Sequence, residues 1–266
     1  MENQNDYLNI NKATWNNKTD VHIASDFYDN EGFLNGKSTL QSIELDLIGD
    51  ITGKKILHLQ CHFGQDTMTF SRMGAKATGI DLSDRAIEKA REFAQQLNLD
   101  TTFICCDIYD LPNHLDEKFD IVFTSYGTIG WLPDLDKWAN VVSHFLKPDG
   151  KFVFAEFHPV VWMYDDYFKE VHYSYFNVET ITEDESGTYA DRYSDIKAQT
   201  ITWNHPTSEV LNALINSGLE LKSFNEYDFS PYNCFKETEE FEPSKFRIKH
   251  LGNKIPMVFS IVATKK

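Results

Sequence analysis

Residues 56–66 read ILHLQCHFGQD, an apolar run that leads into a polar turn with a single glycine. The apolar run predicts a buried β-strand, and Gly64 permits a tight turn into a following helix. A loop that approaches a dinucleotide pyrophosphate needs several glycines, whereas Gln60 and His62 place side chains in that space. The stretch therefore predicts the first strand–loop–helix unit of an α/β sheet whose ligand lacks a pyrophosphate.

Beyond this unit the chain alternates apolar strands with helix-period segments, as is typical of a parallel sheet with crossover helices. Ser83 is a good N-cap for a helix over 84–97, and a Pro-Asp-Gly turn in LKPDG closes a helix that begins near Leu135. A third helix is predicted over 66–74 and a fourth over 207–218. The predicted strands are KKILHLQ, AKATGID, TFICC, FDIVFTS, KFVFAEF, LELKSFNEY and MVFSIVAT.

Two segments depart from this alternation. Residues 1–50 precede the first unit, and residues 159–205 form an insert rich in Tyr, Phe, Asp and Glu, which predicts a lid, a binding element or a locally disordered loop. The acidic run 237–242 is predicted to be a solvated loop. We predict one domain over 1–266: an N-terminal cap (1–50), a core (51–158), an insert that caps the substrate (159–205) and a C-terminal part of the sheet (206–266).

Composition excludes several classes of protein. The formal charge of −16, from 41 acidic and 25 basic residues, would repel nucleic acid and anionic membranes. The start of the chain is polar, and no stretch has the ~18 apolar residues of a membrane helix, so a cytoplasmic protein is predicted. The four cysteines show no metal-ligand spacing and are predicted to be buried thiols. His58 and His62 span a strand and a turn, where i, i+4 spacing does not converge, so no metal site is predicted.

Acidic residues end the second and third predicted strands, at the edge where open α/β sheets bind ligands. Asp81 can accept hydrogen bonds from both ribose hydroxyls of an adenosine ligand. Asp107 can accept from the adenine amine while Ile108 packs on the ring, although the nearby Asp110 could act instead. Together with the glycine-poor first loop, these acids predict an adenosine ligand without a pyrophosphate.

Five segments carry a resemblance to a known family. ILHLQCHFG, TGIDLS, CCDIYDLP, FDIVFTSYGTIGWLPDL and LKPDGKFVFAEFHP resemble, in this order, the successive motifs of class I S-adenosylmethionine-dependent methyltransferases. LHLQCHFGQDT, WLPDL and AEFHP resemble more narrowly a bacterial subgroup that acts on small molecules. The final IPMVFSIVATKK resembles the closing antiparallel strand of that family. The resemblance implies a Rossmann-like α/β fold with a seven-stranded, mostly parallel sheet, an antiparallel last strand and helices on both faces.

The resemblance also implies S-adenosylmethionine as cofactor and S-adenosylhomocysteine as its product. This chain departs from the family pattern, because His58 replaces an acid and Gln60 and His62 replace glycines, so Asp66 or the N-terminal segment would have to supply substitute contacts. His58 is predicted to be hydrogen-bonded beneath the loop. The predicted cofactor-binding residues are Trp15, Tyr28, Phe33, Gln60, Cys61, His62, Gly64, Asp81, Leu82, Asp107, Ile108, Ser125 and Tyr126.

Catalysis by methyl transfer needs few side chains, since the sulfonium already activates the methyl group. Tyr126 could face the reacting groups, and His158 could remove a proton from the acceptor or merely shape the turn at Pro159. Other aromatic residues could line an acceptor pocket or only pack the insert: Trp131, Trp162, Tyr164, Tyr173, Tyr175 and Tyr232.

We therefore predict methyl transfer to the oxygen or nitrogen of a small molecule that is flat or apolar. Two alternatives remain: a non-catalytic protein that binds the cofactor, and a nicotinamide-dependent oxidoreductase. The broken G-x-G-x-x-G pattern argues against the second of these.

Overall fold

The structure is a computed structural model that describes residues 6–266, so the first five residues of the predicted cap lie outside the described residues. Within residues 6–266 the α-helices are α1 (Asp6–Ala24), α2 (Asn30–Leu34), α3 (Ser42–Ile48), α4 (Gln65–Arg72), α5 (Asp84–Gln96), α6 (Leu135–Phe145) and α7 (Thr207–Asn216). The strands of this part of the chain are β1 (Lys55–Leu59), β2 (Lys76–Asp81), β3 (Thr102–Cys105), β4 (Phe119–Ser125), β5 (Leu146–Phe157), β6 (Ile181–Ser186), β7 (Lys197–Thr202), β8 (Leu219–Tyr227), β9 (Thr238–Glu242), β10 (Lys245–Ile248) and β11 (Val258–Lys265).

The main sheet has seven strands in the order β3-β2-β1-β4-β5-β11-β8. Strands β1 to β5 pair in parallel, whereas β11 lies between β5 and β8 and runs antiparallel to both. The predicted Rossmann-like sheet with an antiparallel last strand is therefore confirmed. The strand order reverses between β1 and β4, and a crevice at such a reversal is where open α/β sheets bind ligands.

The helices follow from the sequence pattern. In α5 the buried residues include Ile87, Ala90 and Ala94, three or four positions apart, and the Ala86 amide donates a hydrogen bond to the Ser83 hydroxyl at 3.0 Å. The apolar faces of such helices cover a sheet whose strands β1 and β2 are almost wholly buried. Burial on both faces of the sheet explains why β1 is a largely apolar run.

The cap and the insert form a cover over one edge of the sheet. The insert contains the hairpin β6–β7, and α1 runs along the free side of β7. There the Asn11 amide accepts a hydrogen bond from the Ile201 backbone N–H at 3.0 Å and donates one to the Ile201 carbonyl at 2.8 Å. The Thr14 hydroxyl donates to the Gln199 carbonyl. Side chains of α1 therefore satisfy the backbone of β7 as a neighbouring strand would.

Some local predictions are wrong. The acidic run 237–242 is not a loop, because Thr238–Glu242 forms β9, an exposed strand that pairs with β10. The segment LKPDG lies within β5, which begins at Leu146. Cys61 and Cys106 are buried as predicted, but Cys105 and Cys234 are only half-buried. The division into cap, core, insert and C-terminal part stays a prediction.

None of the helices in residues 6–266 combines the length and the apolar character needed to cross a bilayer.

Candidate active site

A cavity of about 1250 Å³ lies at the carboxyl ends of the parallel strands, beneath α1 and the β6–β7 hairpin. Every residue that the sequence predicts to contact the cofactor lines this cavity: Trp15, Tyr28, Phe33, Gln60, Cys61, His62, Gly64, Asp81, Leu82, Asp107, Ile108, Ser125 and Tyr126. Its volume exceeds the roughly 300–1,000 Å³ of a pocket for one drug-sized ligand. The cavity can therefore hold two small molecules side by side.

The loop after β1 has an unusual backbone. Gln60, His62 and Gly64 all have positive φ values, of 55°, 51° and 76°. The loop is fixed at both sides, because the Gln60 amide donates to the Thr128 carbonyl at 2.9 Å and the His62 N–H donates to Asp81 Oδ2 at 2.8 Å. Gln60 and His62 thus adopt the left-handed backbone conformation that glycine reaches without strain in the glycine-rich loops of other proteins.

Asp81 ends β2 and lies half-buried in the cavity wall. Its Oδ1 accepts the Ser83 N–H at 2.9 Å, and its Oδ2 accepts the His62 N–H. Burial raises the pKa of this carboxyl, and the backbone amides act in the opposite direction. A carboxylate has about four acceptor positions, so two remain for hydroxyl groups of a ligand.

Asp107 follows β3 and accepts the Tyr109 N–H at 3.2 Å, where burial raises the pKa of its carboxyl. The alternative residue, Asp110, is exposed and lies 2.8 Å from His114 Nε2. Asp110 does not line the cavity, whereas Asp107 and the buried Ile108 do. The geometry therefore supports Asp107 over Asp110 as the contact to an adenine ring.

The histidines near the first loop are neutral. His58 Nδ1 lies 2.9 Å from the Thr67 hydroxyl, beneath the loop as predicted, and burial lowers the pKa of His58 to about 3. Burial likewise lowers the pKa of His62 to about 3, and its Nε2 lies 2.9 Å from His22 Nδ1. Within residues 6–266 no group of three His, Cys, Asp or Glu side chains could hold a metal ion.

Aromatic residues of the cap cover the first loop. The Trp15 ring lies 5.3 Å from the His62 ring and 5.2 Å from the Trp131 ring, measured between centroids. Tyr28 packs on Phe63, and its hydroxyl lies 2.5 Å from that of Tyr189 in the insert. Cap and insert therefore meet directly above the loop.

Lys18 is a residue of the site that the sequence did not reveal. Its ammonium group lies 2.7 Å from Glu185 and within 5.6 Å of the ring centroids of both Trp15 and Trp131. The buried side chains of α1 are all polar or basic, so this helix shows no apolar period. A run of polar residues at helical spacing was the one signal available, and it is the signal of an exposed helix.

Glu156 is buried at the end of β5 and lines the cavity, as its place after the fifth predicted strand indicates. Its carboxylate accepts the N–H groups of Gly127, of Thr128 at 2.7 Å and of Ile129 at 3.2 Å, and the Thr128 hydroxyl at 2.9 Å. Burial raises the pKa of Glu156, and these donors act against that rise. Glu156 thereby fixes the loop after β4, which begins with Tyr126 at φ 34°.

We expect Glu156→Gln to destabilise the protein by about 2 kcal/mol, because an amide NH2 would face backbone N–H groups that now donate to a carboxylate. Urea unfolding followed by circular dichroism measures this change. Glu88→Gln, which alters an exposed ion pair with Arg85, is the matched control and should shift the free energy of unfolding by less than about 0.5 kcal/mol. Equal effects of the two changes would contradict the role of Glu156.

His158 lies apart from this site. It is buried with its Nε2 2.9 Å from Glu226 on β8, and its Nδ1 accepts the Val160 N–H at 3.2 Å. His158 does not line the cavity, whereas its neighbours Phe157 and Pro159 do. Its two ring nitrogens are occupied outside the cavity, so the geometry disfavours the predicted role in proton removal and supports the alternative that His158 shapes the turn.

The far half of the cavity is aromatic. Phe157, Trp162 and Phe235 pack with ring centroids 5.0–5.7 Å apart. The Tyr232 ring lies 5.3 Å from the Tyr126 ring and joins this group to the end of β4. Of the aromatic residues predicted to line an acceptor pocket, Trp131, Trp162, Tyr164, Tyr173 and Tyr232 line the cavity. Tyr175 does not, and its hydroxyl donates to Thr207.

Fold and site together define an α/β protein with an adenosine-sized polar half-site joined to an aromatic half-site. In a comparison with known proteins, residues 56–150 match the family model described as a methyltransferase domain. The ubiquinone biosynthesis O-methyltransferase of Alkalilimnicola ehrlichii is 26% identical over 136 residues, which cover 50% of this chain and 55% of that protein. The chain thus spans about half the length of the curated relatives it matches.

Solved structures share the fold. An S-adenosylmethionine-dependent methyltransferase from Mesorhizobium loti aligns with a TM-score of 0.58 at 19% identity, over 87% of this chain and 100% of that one. The geranyl diphosphate C-methyltransferase of Streptomyces coelicolor, solved with S-adenosyl-L-homocysteine, aligns with a TM-score of 0.56 at 16% identity, over 84% of this chain and 77% of that one. Residues 56–150 therefore match a methyltransferase domain, and the solved structures share the fold that the sequence motifs predicted.

Proposed function

We propose that this protein transfers the methyl group of S-adenosylmethionine to an oxygen or nitrogen atom of a small molecule with a flat or apolar surface. One observation carries the proposal: a single cavity joins the acids Asp81 and Asp107 to an aromatic half-site formed after β4 and β5. The first half suits adenosine, and the second suits an apolar acceptor. The O-methyltransferase relatives support an oxygen as the methylated atom.

In this proposal Asp81 accepts from the ribose hydroxyls, and Asp107 with Ile108 holds the adenine. Ser125 and Tyr126 lie where the polar half and the aromatic half of the cavity meet. The cofactor supplies an activated methyl group, so the contribution of the chain is to align the acceptor and to exclude water. Tyr126 contributes an aromatic face beside the developing reaction centre, where it can stabilise positive charge. Burial raises the pKa of Tyr126 well above its usual value, so its hydroxyl stays protonated.

The cover over the cavity supports the same reaction. Lys18 and Glu185 join α1 to β6 across the opening, and the Tyr28–Tyr189 contact joins the cap to the insert. A covered cavity lowers the local dielectric constant and keeps water from the sulfonium. The net charge of −16 supports a small acceptor rather than nucleic acid.

Calorimetric titration of the purified protein with S-adenosylhomocysteine and with NADH tests the cofactor. We expect micromolar binding of S-adenosylhomocysteine and no binding of NADH; the opposite result would favour an oxidoreductase. Incubation with S-adenosylmethionine labelled in its methyl group and panels of phenols and amines then tests transfer. Cofactor binding with no labelled product from any panel or from a metabolite extract would favour a non-catalytic binding protein.

A further inference from the structure

Acidic and hydroxyl side chains meet where the loop after β4 approaches the start of α4. We call Thr39, Glu44, Asp66, Tyr126 and Tyr232 the acidic wall. Asp66 lines the cavity, and its Oδ1 accepts a hydrogen bond from the Thr39 hydroxyl at 2.5 Å. Glu44, from α3, is fully buried behind this surface, and its Oε2 accepts the Tyr126 hydroxyl at 3.1 Å.

The two carboxylates of the wall have no cationic partner within residues 6–266, where the ion pairs all involve other acids. Glu44 Oε1 is buried and makes no well-formed hydrogen bond. Two neighbouring acids in a partly buried site repel each other, and a buried carboxylate without a partner costs free energy. A cation bound beside these carboxylates would offset that cost.

The sheet order indicates which part of the cofactor reaches the wall. Asp107 follows β3 and Asp81 ends β2, so adenine and ribose lie over that side of the sheet. The strands continue in the order β1, β4, and neighbouring strands are ~4.8 Å apart. The rest of the cofactor therefore extends across β1 toward β4. Asp66 lies there at the start of α4, and Tyr126 lies directly after β4. That part of the cofactor contains the amino-acid moiety with its ammonium group.

We propose that Asp66 binds the ammonium group of the cofactor's amino-acid moiety, and that Glu44, held against Tyr126 on the same wall, acts as a positioning residue and second anion. The proposal rests on the proposed function. Asp66 would take the place of the acid that the family pattern has at His58, which here is a neutral residue hydrogen-bonded to Thr67. The Asp66 oxygen not used by Thr39 is the acceptor.

Calorimetry with two ligands tests the role of Asp66. S-adenosylhomocysteine contains the amino-acid moiety, whereas 5′-methylthioadenosine lacks it. We expect Asp66→Asn to weaken binding of S-adenosylhomocysteine about tenfold, the value of one charge-assisted hydrogen bond, and to leave 5′-methylthioadenosine unchanged. Asp46→Asn is the matched control, because Asp46 is an exposed acid on α3 that does not line the cavity; it should change neither affinity.

An equal loss of affinity for both ligands would assign Asp66 a structural role and overturn the proposal, as would unchanged binding of S-adenosylhomocysteine. These outcomes leave the proposed function intact. If the unaltered protein binds neither ligand, the proposed function fails together with this inference, so the two failures are distinguishable.

The pH dependence of Glu44 provides a second test. Burial, reinforced by Asp66, raises the pKa of Glu44 to about 7, and the amides at the start of α3 and Tyr126 act against that rise. The other groups near the wall keep one charge state between about pH 5 and 8: Tyr126 and Tyr232 have pKa values well above 10, and His58 has a pKa of about 3. The ammonium group of Lys151 donates to the Leu47 and Ile48 carbonyls at the C-terminal end of α3, whereas Glu44 lies in the first turn of that helix.

Ionisation of Glu44 costs the folded protein stability as pH rises from its unfolded pKa of 4.5 through about 7. The melting temperature of Glu44→Gln should therefore exceed that of the wild type by more at about pH 8.5 than at about pH 5.5, while the variant binds S-adenosylhomocysteine more weakly. Wild-type affinity should fall as pH drops below about 7, because protonation removes the second anion, and the affinity of Glu44→Gln should be flat over that range. A difference in melting temperature that does not change with pH, or wild-type affinity that is flat, would overturn the role of Glu44.

Discussion

Asp81→Ala is expected to weaken S-adenosylhomocysteine binding about 100-fold. The carboxylate is the acceptor that we assign to both ribose hydroxyls, and two hydrogen bonds to a charged group together contribute about 3 kcal/mol. Its oxygens also accept the His62 and Ser83 N–H groups, so the change additionally loosens the loop after β1. Calorimetry and competition with a fluorescent adenosine analogue measure the loss.

A ligand without the ribose hydroxyls separates contact from loop disorder. Removing both hydroxyls should cost the wild type most of this affinity and cost Asp81→Ala almost nothing. Asp100→Ala, at an exposed position after α5, is the matched control and should bind S-adenosylhomocysteine as the wild type does. If Asp81→Ala still distinguishes the two ligands by the full factor, the ribose contact lies elsewhere.

Gly64→Ala is expected to destabilise the protein by about 3 kcal/mol. Gly64 has φ +76°, which costs alanine about 1 kcal/mol. A Cβ atom at this position would also lie 2.4 Å from the ring of Phe103 and 3.2 Å from Ala90 Cβ. Phe103 is buried between sheet and α5, so its rigid ring can move only if the core repacks, and overpacking of this kind costs a further ~1–3 kcal/mol.

Gly53→Ala isolates the steric part of that effect. Gly53 has a similar φ of +72° but open space around it, so alanine there should cost about 1 kcal/mol. Denaturant unfolding of both variants measures the difference. Phe103→Leu introduced together with Gly64→Ala should recover part of the loss; a double variant whose effects simply add would show that Phe103 is not the cause.

The fold was predictable because its information is local. The central strands β1 and β4 are apolar runs buried on both faces. The Ser83 side chain and the backbone freedom of Gly64 and Gly74 mark the ends of helices within a few residues. Asp81 and Asp107 were predictable for the same reason, since each follows a strand and parallel strands end at one edge. The antiparallel direction of β11 came from a resemblance, because eight residues of periodicity do not specify strand direction.

The contacts of Lys18, Glu44 and Glu156 were not predictable in this way. Their partners lie far along the chain: Lys18 meets Glu185, Glu44 meets Tyr126, and Glu156 meets a loop nearly 30 positions earlier. Helix α1 buries polar residues and therefore has no apolar stripe, so its sequence looks like that of an exposed helix. His158 illustrates the converse, because its place after β5 suggested the cavity while its side chain turns to Glu226.

The pairing of Asn11 with Ile201 has a consequence for the behaviour of the protein at high concentration. A two-stranded hairpin is only marginally stable alone, and its free edges can recruit strands from other molecules. On the β7 side, Asn11 and Thr14 occupy the backbone groups through which such recruitment would begin. Helix α1 therefore protects the chain from edge-to-edge aggregation as well as covering the cavity, and conditions that detach it would expose both at once.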